Sequence, residues 1–353
     1  MRKIIIYFFY LILLSSSCQN SADTDIYTQV QEPAYSNVNF NYVQIEGLSK
    51  FYGFNTCVFD DFLFLYENTP YRRYHLVDLK KQRLIRTFGE KEGPFKLNQS
   101  YCNCQLIAKG DSLFTIIDDD TRDLMMFHLD DKDRVDQTTF SFERLEMPEG
   151  IISSDMVYLS KDQRRLFGFS AANASIFNYN ISSKKTTFLR AGPDVKINAD
   201  PITKANIFFA GTAASNTADL FGIAFSYFNL IQIYDGEFNL IKAISVGHPF
   251  MEIPRTEEGI PLETSTRYFG FMLFGKENIY IPFFNQPLNT IGNNTYLKVI
   301  ILNLKNNTVK GIKIPKIISS LSVDSDEQFL YATLEDDSGE SNLIRINLNY
   351  ENE

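Results

Sequence analysis

The sequence lacks tryptophan and is poor in histidine and cysteine. It contains three histidines (His75, His128 and His248) and four cysteines, spread along 353 residues. Structural zinc sites draw on clustered Cys and His ligands, so the sequence predicts no metal centre of that kind. A Ser-His-Asp triad cannot be read from three scattered histidines either, and the sequence therefore predicts no catalytic residues.

Basic charge is also in short supply. The chain has 34 Lys and Arg residues against 43 Asp and Glu residues, which gives a formal net charge of −9. Proteins that bind nucleic acid carry basic patches that contact the phosphate backbone. We therefore expect no nucleic-acid partner.

The sequence has one long apolar run, which lies near its start. Residues 4–14, "IIIYFFYLILL", follow Arg2 and Lys3 and precede Ser15, Ser16, Ser17 and Cys18. Eleven residues are too few to span a bilayer, which takes about 20, but they suit the core of a signal peptide.

The end of this run resembles the lipobox of bacterial lipoproteins, in which the cysteine is acylated and the chain is cut just before it. The resemblance implies a signal peptide over residues 1–17, a lipidated Cys18 and attachment to the membrane through the lipid. We then expect residues 18–39 to form a polar tether, and the resemblance implies a protein of the bacterial cell envelope, anchored at the outer membrane. The alternative is an ordinary secretory signal followed by an unmodified cysteine.

A repeat runs along the rest of the chain. Six short apolar segments each end in an Asp or Asn, at intervals of 44 to 68 residues: Asp78, Asp130, Asn180, Asp235, Asn303 and Asn347. Each is preceded by two further β-rich runs, and the first five are followed by a polar turn and one more. Four-stranded units at this period are typical of β-propellers.

The count of strands predicts how the ring closes. The sixth unit has three strands, and one spare strand, "FNYVQIEG" at residues 40–47, precedes the first unit. We expect an all-β, six-bladed β-propeller with four-stranded blades over residues 40–353, whose last blade is closed by the N-terminal strand. A two-sheet sandwich would not explain a recurring four-stranded unit.

The connector after the first unit carries a family resemblance. Gly89, Gly93, Pro94 and Phe95 resemble part of the connector found in TolB-like six-bladed propeller lipoproteins of the Bacteroides group, without its final Gly-Glu pair. This resemblance implies a propeller anchored in the cell envelope. It implies no established activity.

Three cysteines remain after removal of the signal peptide: Cys57, Cys102 and Cys104. They lie on predicted innermost strands of neighbouring blades. A disulfide requires Cα atoms within about 7 Å, and we expect neighbouring strands to be slightly too far apart, so that the thiols stay reduced. A bridge from Cys57 to Cys102 or Cys104 is the alternative.

Polar residues at or near the starts of the innermost strands predict a site at the mouth of the central channel. They are Asn55, Asn103, Asp155, Asn206 and Arg267. The ring loosely resembles the calcium site of lactonase-type propellers, but it has one carboxylate, so we expect no cofactor and keep calcium as the alternative. Arg267 is expected to be unpaired and to bind a carboxylate or another anion; the alternative is that it bonds backbone carbonyls of its own connector.

Long segments near the fourth and fifth blades predict a second binding element, since long loops are usually functional or disordered. They cover residues 192–204, 247–265 and 285–294. Their candidate rim residues are Tyr227, Phe250, Arg255 and Phe284. The alternative is that Phe250 and Phe284 simply hold these loops in place.

Two functions fit these features. The first is a lipid-anchored, non-catalytic binding or scaffolding module for an envelope protein or glycan, which the absence of a catalytic motif favours. The second is a hydrolase or lactonase with a site at the channel mouth.

Overall fold

The computed structural model describes residues 26–48, 51, 53–59, 61–67, 73–88, 100–106, 112–118, 123–129, 141–146, 157–162, 164–195, 197–215, 219–250, 262–293, 295–315, 318, 320–336 and 339–349. Within these ranges the second blade, between residues 100 and 146, is described in its backbone only. No helix in the described ranges is long and apolar enough to cross a membrane.

An N-terminal segment of three short strands precedes the blades. It contains β1 (Tyr27–Val30), β2 (Tyr35–Asn37) and β3 (Phe40–Tyr42). We call residues 26–48 the belt, because its strands join the outer edges of three successive sheets.

The first three sheets follow the chain in order, four antiparallel strands each. The first has β4 (Gly53–Phe59), β5 (Phe62–Glu67), β6 (Arg73–Asp78) and β7 (Arg83–Phe88). The second has β8 (Ser100–Leu106), β9 (Ser112–Asp118), β10 (Asp123–Leu129) and β11 (Ser141–Glu146). The third has β12 (Val157–Leu159), β13 (Arg165–Ser170), β14 (Ser175–Asn180) and β15 (Lys185–Arg190).

The fourth sheet follows a short helix, α1 (Pro201–Ile207). Its strands are β16 (Ala210–Ala214), β17 (Leu220–Phe225), β18 (Ile231–Asp235) and β19 (Leu240–Val246). The belt strand β1 adds a fifth, parallel to β19.

The fifth and sixth sheets complete the fold. The fifth has β20 (Thr266–Phe269), β21 (Leu273–Phe274), β22 (Asn278–Pro287), a 3₁₀ helix (Leu288–Asn293), β23 (Leu297–Asn303) and β24 (Val309–Ile314), with β2 parallel to β24. The sixth has β25 (Ser320–Val323), β26 (Phe329–Glu335) and β27 (Ser341–Asn347), and β3 pairs antiparallel with β27.

The first strand of each sheet lies towards the centre. β25 contacts β4, β4 contacts β8, β8 contacts β12, and β16 contacts β21, so the inner strands meet around one axis. Apolar clusters fill the spaces between the third and fourth, fourth and fifth, fifth and sixth, and sixth and first blades. The all-β propeller with four-stranded blades is therefore present, and so is the predicted closure by an N-terminal strand.

The prediction of a six-bladed ring is wrong and needs correction. Side-chain packing is described for five blades, not six, since β8–β11 is described through its backbone pairing alone. Two of the described sheets also exceed four strands, because β1 extends the fourth sheet and β2 the fifth. The sequence assigned both strands to a polar tether over residues 18–39; the structure places chain from Tyr27 onward on the ring.

The cysteine prediction is wrong for Cys57. This residue, on β4, is disulfide-bonded. Inner strands of neighbouring blades contact one another, as β4 and β8 do. Cys102 and Cys104 lie on β8, where side chains are outside the described part.

Candidate functional site

Successive strands place one set of loops on each face of the propeller. In an antiparallel sheet the turn after the second strand and the connector into the next blade lie at the same end. We call this end the mouth face; near the fourth and fifth blades it carries residues 226–230, 247–250, α1 and the 3₁₀ helix. The opposite face carries the turns 236–239 and 304–308.

Arg267 lies on β20, the innermost strand of the fifth blade, at the end that opens on the mouth face. Its Cα partner across the ladder is Gln286 on β22. Partners across an antiparallel pair project their side chains to the same face of the sheet, so the two side chains are neighbours.

Both of these side chains carry buried donors. Nε of Arg267 and Nε2 of Gln286 are buried and have no hydrogen-bond acceptor among the described residues. Leaving a buried N–H unpaired costs about 1–3 kcal/mol, so two such donors side by side favour an acceptor from elsewhere.

An aromatic ring supports the guanidinium group. The Cζ atom of Arg267 lies 5.1 Å from the ring centroid of Phe284, close enough for a cation–π contact. Phe284 and Gln286 both lie on β22, where the ladder to β20 shifts register between the pairs Arg267–Gln286 and Phe269–Phe283. Phe284 also packs against the apolar cluster between the fifth and sixth blades, which fixes the ring and so the position of the cation above it.

Tyr227 lies close enough to Arg267 for their charges to interact. Burial lowers the pKa of Arg267 and raises the pKa of Tyr227, and each group partly offsets the shift of the other. Arginine nevertheless stays cationic in proteins. The mouth face thus presents a fixed positive charge beside a neutral phenol.

The turn that carries Tyr227 is held on three sides. Ser226 N–H donates to the carbonyl of Phe209 at 2.9 Å, and the Tyr268 N–H donates to the carbonyl of Ser226 at 2.7 Å. Asn229, fully buried, donates to the carbonyls of Val246 and His248 at 2.9 and 2.6 Å. The turn therefore forms a rigid bridge between the fourth blade and β20.

The predicted loop rim is partly assembled here. Phe250 stacks on Phe228 with centroids 5.8 Å apart, and Phe228 stacks on Phe208 at 5.5 Å. Phe250 keeps 37% of its surface exposed, so it both holds its connector and reaches solvent. Arg255 lies outside the described residues.

The other predicted channel residues are not brought to Arg267 in the described part of the chain. Asn206 lies exposed in α1 instead of at the start of an inner strand, which is a correction: the strand begins at Ala210. Asn55 and Asn103 lie on the inner strands β4 and β8, but their side chains fall outside the described part, as does Asp155 entirely.

Gln286 was missed because residues 285–294 were interpreted as a loop. The structure continues β22 through Pro287 and then forms the 3₁₀ helix. Alternation carries no signal for this extension, because a register shift and the positive φ of Asn285 interrupt the strand between Phe283 and Gln286.

A second polar arrangement escaped the sequence analysis. In the first blade, His75 Nδ1 lies 2.9 Å from Thr87 Oγ1, and His75 Nε2 lies 3.1 Å from Glu67 Oε2. His75 and Glu67 are 4% and 6% exposed. These three side chains satisfy one another's buried polar groups across β5, β6 and β7.

Metal ligation finds no support among the described side chains. No group of three or more His, Cys, Asp or Glu residues in that part of the chain is placed to hold an ion.

Comparison with solved structures adds a fold relationship. The chain shares its fold with two Bacteroides proteins. An exported protein of Bacteroides fragilis superposes with a TM-score of 0.60 at 10% sequence identity, over 92% of this chain and 100% of its own. A member of the DUF4221 family from Bacteroides vulgatus gives a TM-score of 0.59 at 9% identity, over 89% of this chain and 98% of its own.

No family model matches the chain, and no curated protein matches it. The TolB-like resemblance is therefore not confirmed; the connector residues that carry it, Gly89 to Phe95, lie outside the described ranges. At such low identities the two solved structures establish the fold alone.

Proposed function

We propose that this protein is an exported, lipid-anchored, non-catalytic binding module that engages another envelope component through the mouth face of its fourth and fifth blades. The observation that carries the proposal is the pair of buried, unpaired donors on Arg267 and Gln286. They lie on paired inner strands beside the rigid turn that carries Tyr227. A site built from fixed donors without an attached nucleophile or base is suited to binding.

The cellular location rests on the N-terminal sequence. The apolar run at residues 4–14 followed by Cys18 supports export and lipidation, with the anchored protein at the outer membrane. The Bacteroides fragilis neighbour is itself an exported protein, which agrees with this proposal.

The hydrolase alternative has no specific observation in its favour. The hydroxyl–imidazole–carboxylate chain of Thr87, His75 and Glu67 is buried within the first blade. The donors of the mouth face, in turn, have no general base beside them in the described part of the chain.

Site-specific photocrosslinking in native membranes tests the proposal. A benzoylphenylalanine residue at position 209, which is 52% exposed on the mouth face, is expected to crosslink a defined partner. The same probe at Asn306, exposed on the opposite face, is the matched control and is expected to give none. Equal crosslinking from both faces, or crosslinking from Asn306 alone, would contradict a binding role for the mouth face.

A further inference from the structure

The donors at the mouth face select a particular kind of acceptor. Arg267 and Gln286 face the same side of the β20–β22 ladder, and each offers a buried N–H without an acceptor among the described residues. Two neighbouring donors match one planar group with two acceptor oxygens. A carboxylate has this geometry and forms charge-assisted, forked hydrogen bonds with guanidinium groups.

The charge balance also fits a carboxylate. The Cζ atom of the guanidinium lies 5.1 Å from the ring centroid of Phe284, and the Nε–H donor is buried without an acceptor among the described residues. The half-buried cation holds one positive charge, which one carboxylate neutralises. Pairing of this kind removes the penalty of a buried, unpaired charge.

The surface next to the cation is apolar. Phe209, Phe250 and Ile202 keep 52%, 37% and 75% of their surface exposed. The carbonyl of Phe209 binds the turn of Tyr227, and Phe250 stacks on Phe228 in the same turn. Phe209 and Phe250 therefore belong to segments held against the turn of Tyr227, and Ile202 lies on α1 of the same face.

This combination distinguishes between two sources of a carboxylate. An acidic sugar presents many hydroxyl groups and no extended apolar surface, whereas the large hydrophobic side chains of Phe209, Phe250 and Ile202 are exposed on these segments. A peptide that ends in apolar residues presents one terminal carboxylate and a hydrophobic body, which matches the charge and the apolar rim.

We propose that Arg267 and Gln286 bind the C-terminal carboxylate of a peptide whose last side chains are apolar and pack against Phe209 and Phe250. This inference rests on the proposed function, since it names the ligand of the same face. It assigns the guanidinium and the Gln286 amide to the carboxylate, and the aromatic rim to the preceding side chains.

Calorimetric titration with two short peptides tests this assignment. The probes are N-acetyl-Ala-Leu-Phe with a free carboxylate and the same peptide with a C-terminal amide. The acid is expected to bind at least tenfold more tightly than the amide, because the amide has lost the charge and one acceptor oxygen. Arg267→Met is expected to weaken binding of the acid at least tenfold.

A matched control and a second variant accompany this titration. Arg345 stacks on Phe329 at 4.7 Å in the sixth blade, so Arg345→Met removes a comparable cation–π contact elsewhere and is expected to leave binding unchanged. Gln286→Leu removes the second donor at similar volume and is expected to weaken binding several-fold, which keeps the test decisive if Arg267→Met fails to fold.

Several results would overturn the assignment. They are equal affinity for acid and amide, no binding of either at millimolar concentration, undiminished binding by the Arg267 and Gln286 variants, or binding of methyl glucuronide in place of the peptide. If Phe209 still crosslinks a partner while any of these holds, the ligand class is wrong and the binding face stands; if crosslinking also fails, the proposed function is wrong.

Discussion

At the scale of single residues, a close approach between the backbones of the fourth and fifth blades depends on a glycine. A Cβ atom built on Gly211 of β16 would lie 2.2 Å from the carbonyl oxygen of Gly270 and 2.5 Å from Cα of Phe271. Both are backbone atoms of the fifth blade, which cannot move aside like the end of a flexible side chain. The inner strands therefore meet here only because Gly211 has no side chain.

We expect Gly211→Ala to destabilise the protein by about 2 kcal/mol or more, because overpacking forces the backbones of two blades apart. Thermal unfolding measures this as a lower melting temperature. Gly292→Ala, in the 3₁₀ helix, is the control, since a Cβ there would have nothing within 4 Å. Equal melting temperatures for the two variants would contradict this close approach.

At the scale of elements, the start of α1 was predictable from the sequence, but its helical conformation was not. Asp200 caps the helix through the backbone N–H groups of Ile202 and Thr203, and Pro201 begins it. An Asp-Pro start is a readable N-terminal signal. Seven residues are too short for helical periodicity, however, so Asn206 was assigned to a strand.

Replacing the cap is expected to loosen α1. The hydrogen bond that the Thr203 hydroxyl donates to Asp200 lowers the pKa of this carboxyl group, and the backbone N–H groups of Thr203 and Ile202 lower it further. A lowered folded-state pKa means that the carboxylate stabilises the fold above the unfolded value, about 3.9, and that this contribution is lost as the pH falls through the folded value.

Asp200→Ala should therefore melt below wild type at pH 7, with the difference shrinking below about pH 4. Asp200→Asn keeps an acceptor for the helix N–H groups and should lie close to wild type at pH 7. Melting curves across this pH range check both variants; a deficit of Asp200→Ala that is constant with pH would rule out the cap as its cause.

The belt is the element that sequence analysis placed least well. Its polar composition suggested a tether, yet it contributes one buried apolar side chain to each of three clusters between blades: Val30, Val38 and Ile45. Lys298 joins the belt to the fifth blade through Glu32 at 3.1 Å and lies 4.7 Å from the ring of Tyr35. Edge strands added in this way are set by tertiary packing, which no local pattern of β1 or β2 reveals.

Val30→Asp is expected to destabilise the protein by about 3 kcal/mol, since Val30 is 9% exposed and a buried charge without a partner is costly. Tyr27→Asp is the control on the same strand, because Tyr27 is 66% exposed. Chemical denaturation measures both. If the two substitutions cost the same free energy, β1 is not packed on the fourth blade as described.

At the scale of the whole molecule, the ring closes through polar and apolar contacts together. β3 pairs with β27, and the inner strands of the first and sixth blades share buried hydroxyl groups: Thr56 lies 3.1 Å from Ser320, which lies 2.8 Å from Thr333. The closing strand was predictable because the repeat left one strand unpaired at each end. The hydroxyl network was not, since it joins residues more than 260 positions apart.

In the candidate site, individual residues were predictable from the sequence, but their convergence was not. Arg267 was predictable from its place at the start of an inner strand, and Tyr227 and Phe284 from the loops around it. Their convergence depends on contacts between the fourth and fifth blades, such as the hydrogen bond between Tyr268 and Ser226. Neither that convergence nor the unpaired state of Gln286 has a signature in local sequence.

The unpaired Nε–H of Arg267 is the central claim, and its resonance tests it most directly. In protein labelled with ¹⁵N-arginine, this signal is assigned as the one missing from Arg267→Lys. The account predicts that N-acetyl-Ala-Leu-Phe with a free carboxylate shifts this resonance while that of Arg345 stays in place, and that the peptide amide shifts neither. An Arg267 resonance that is unmoved by the acid, or moved equally by the amide, would contradict it.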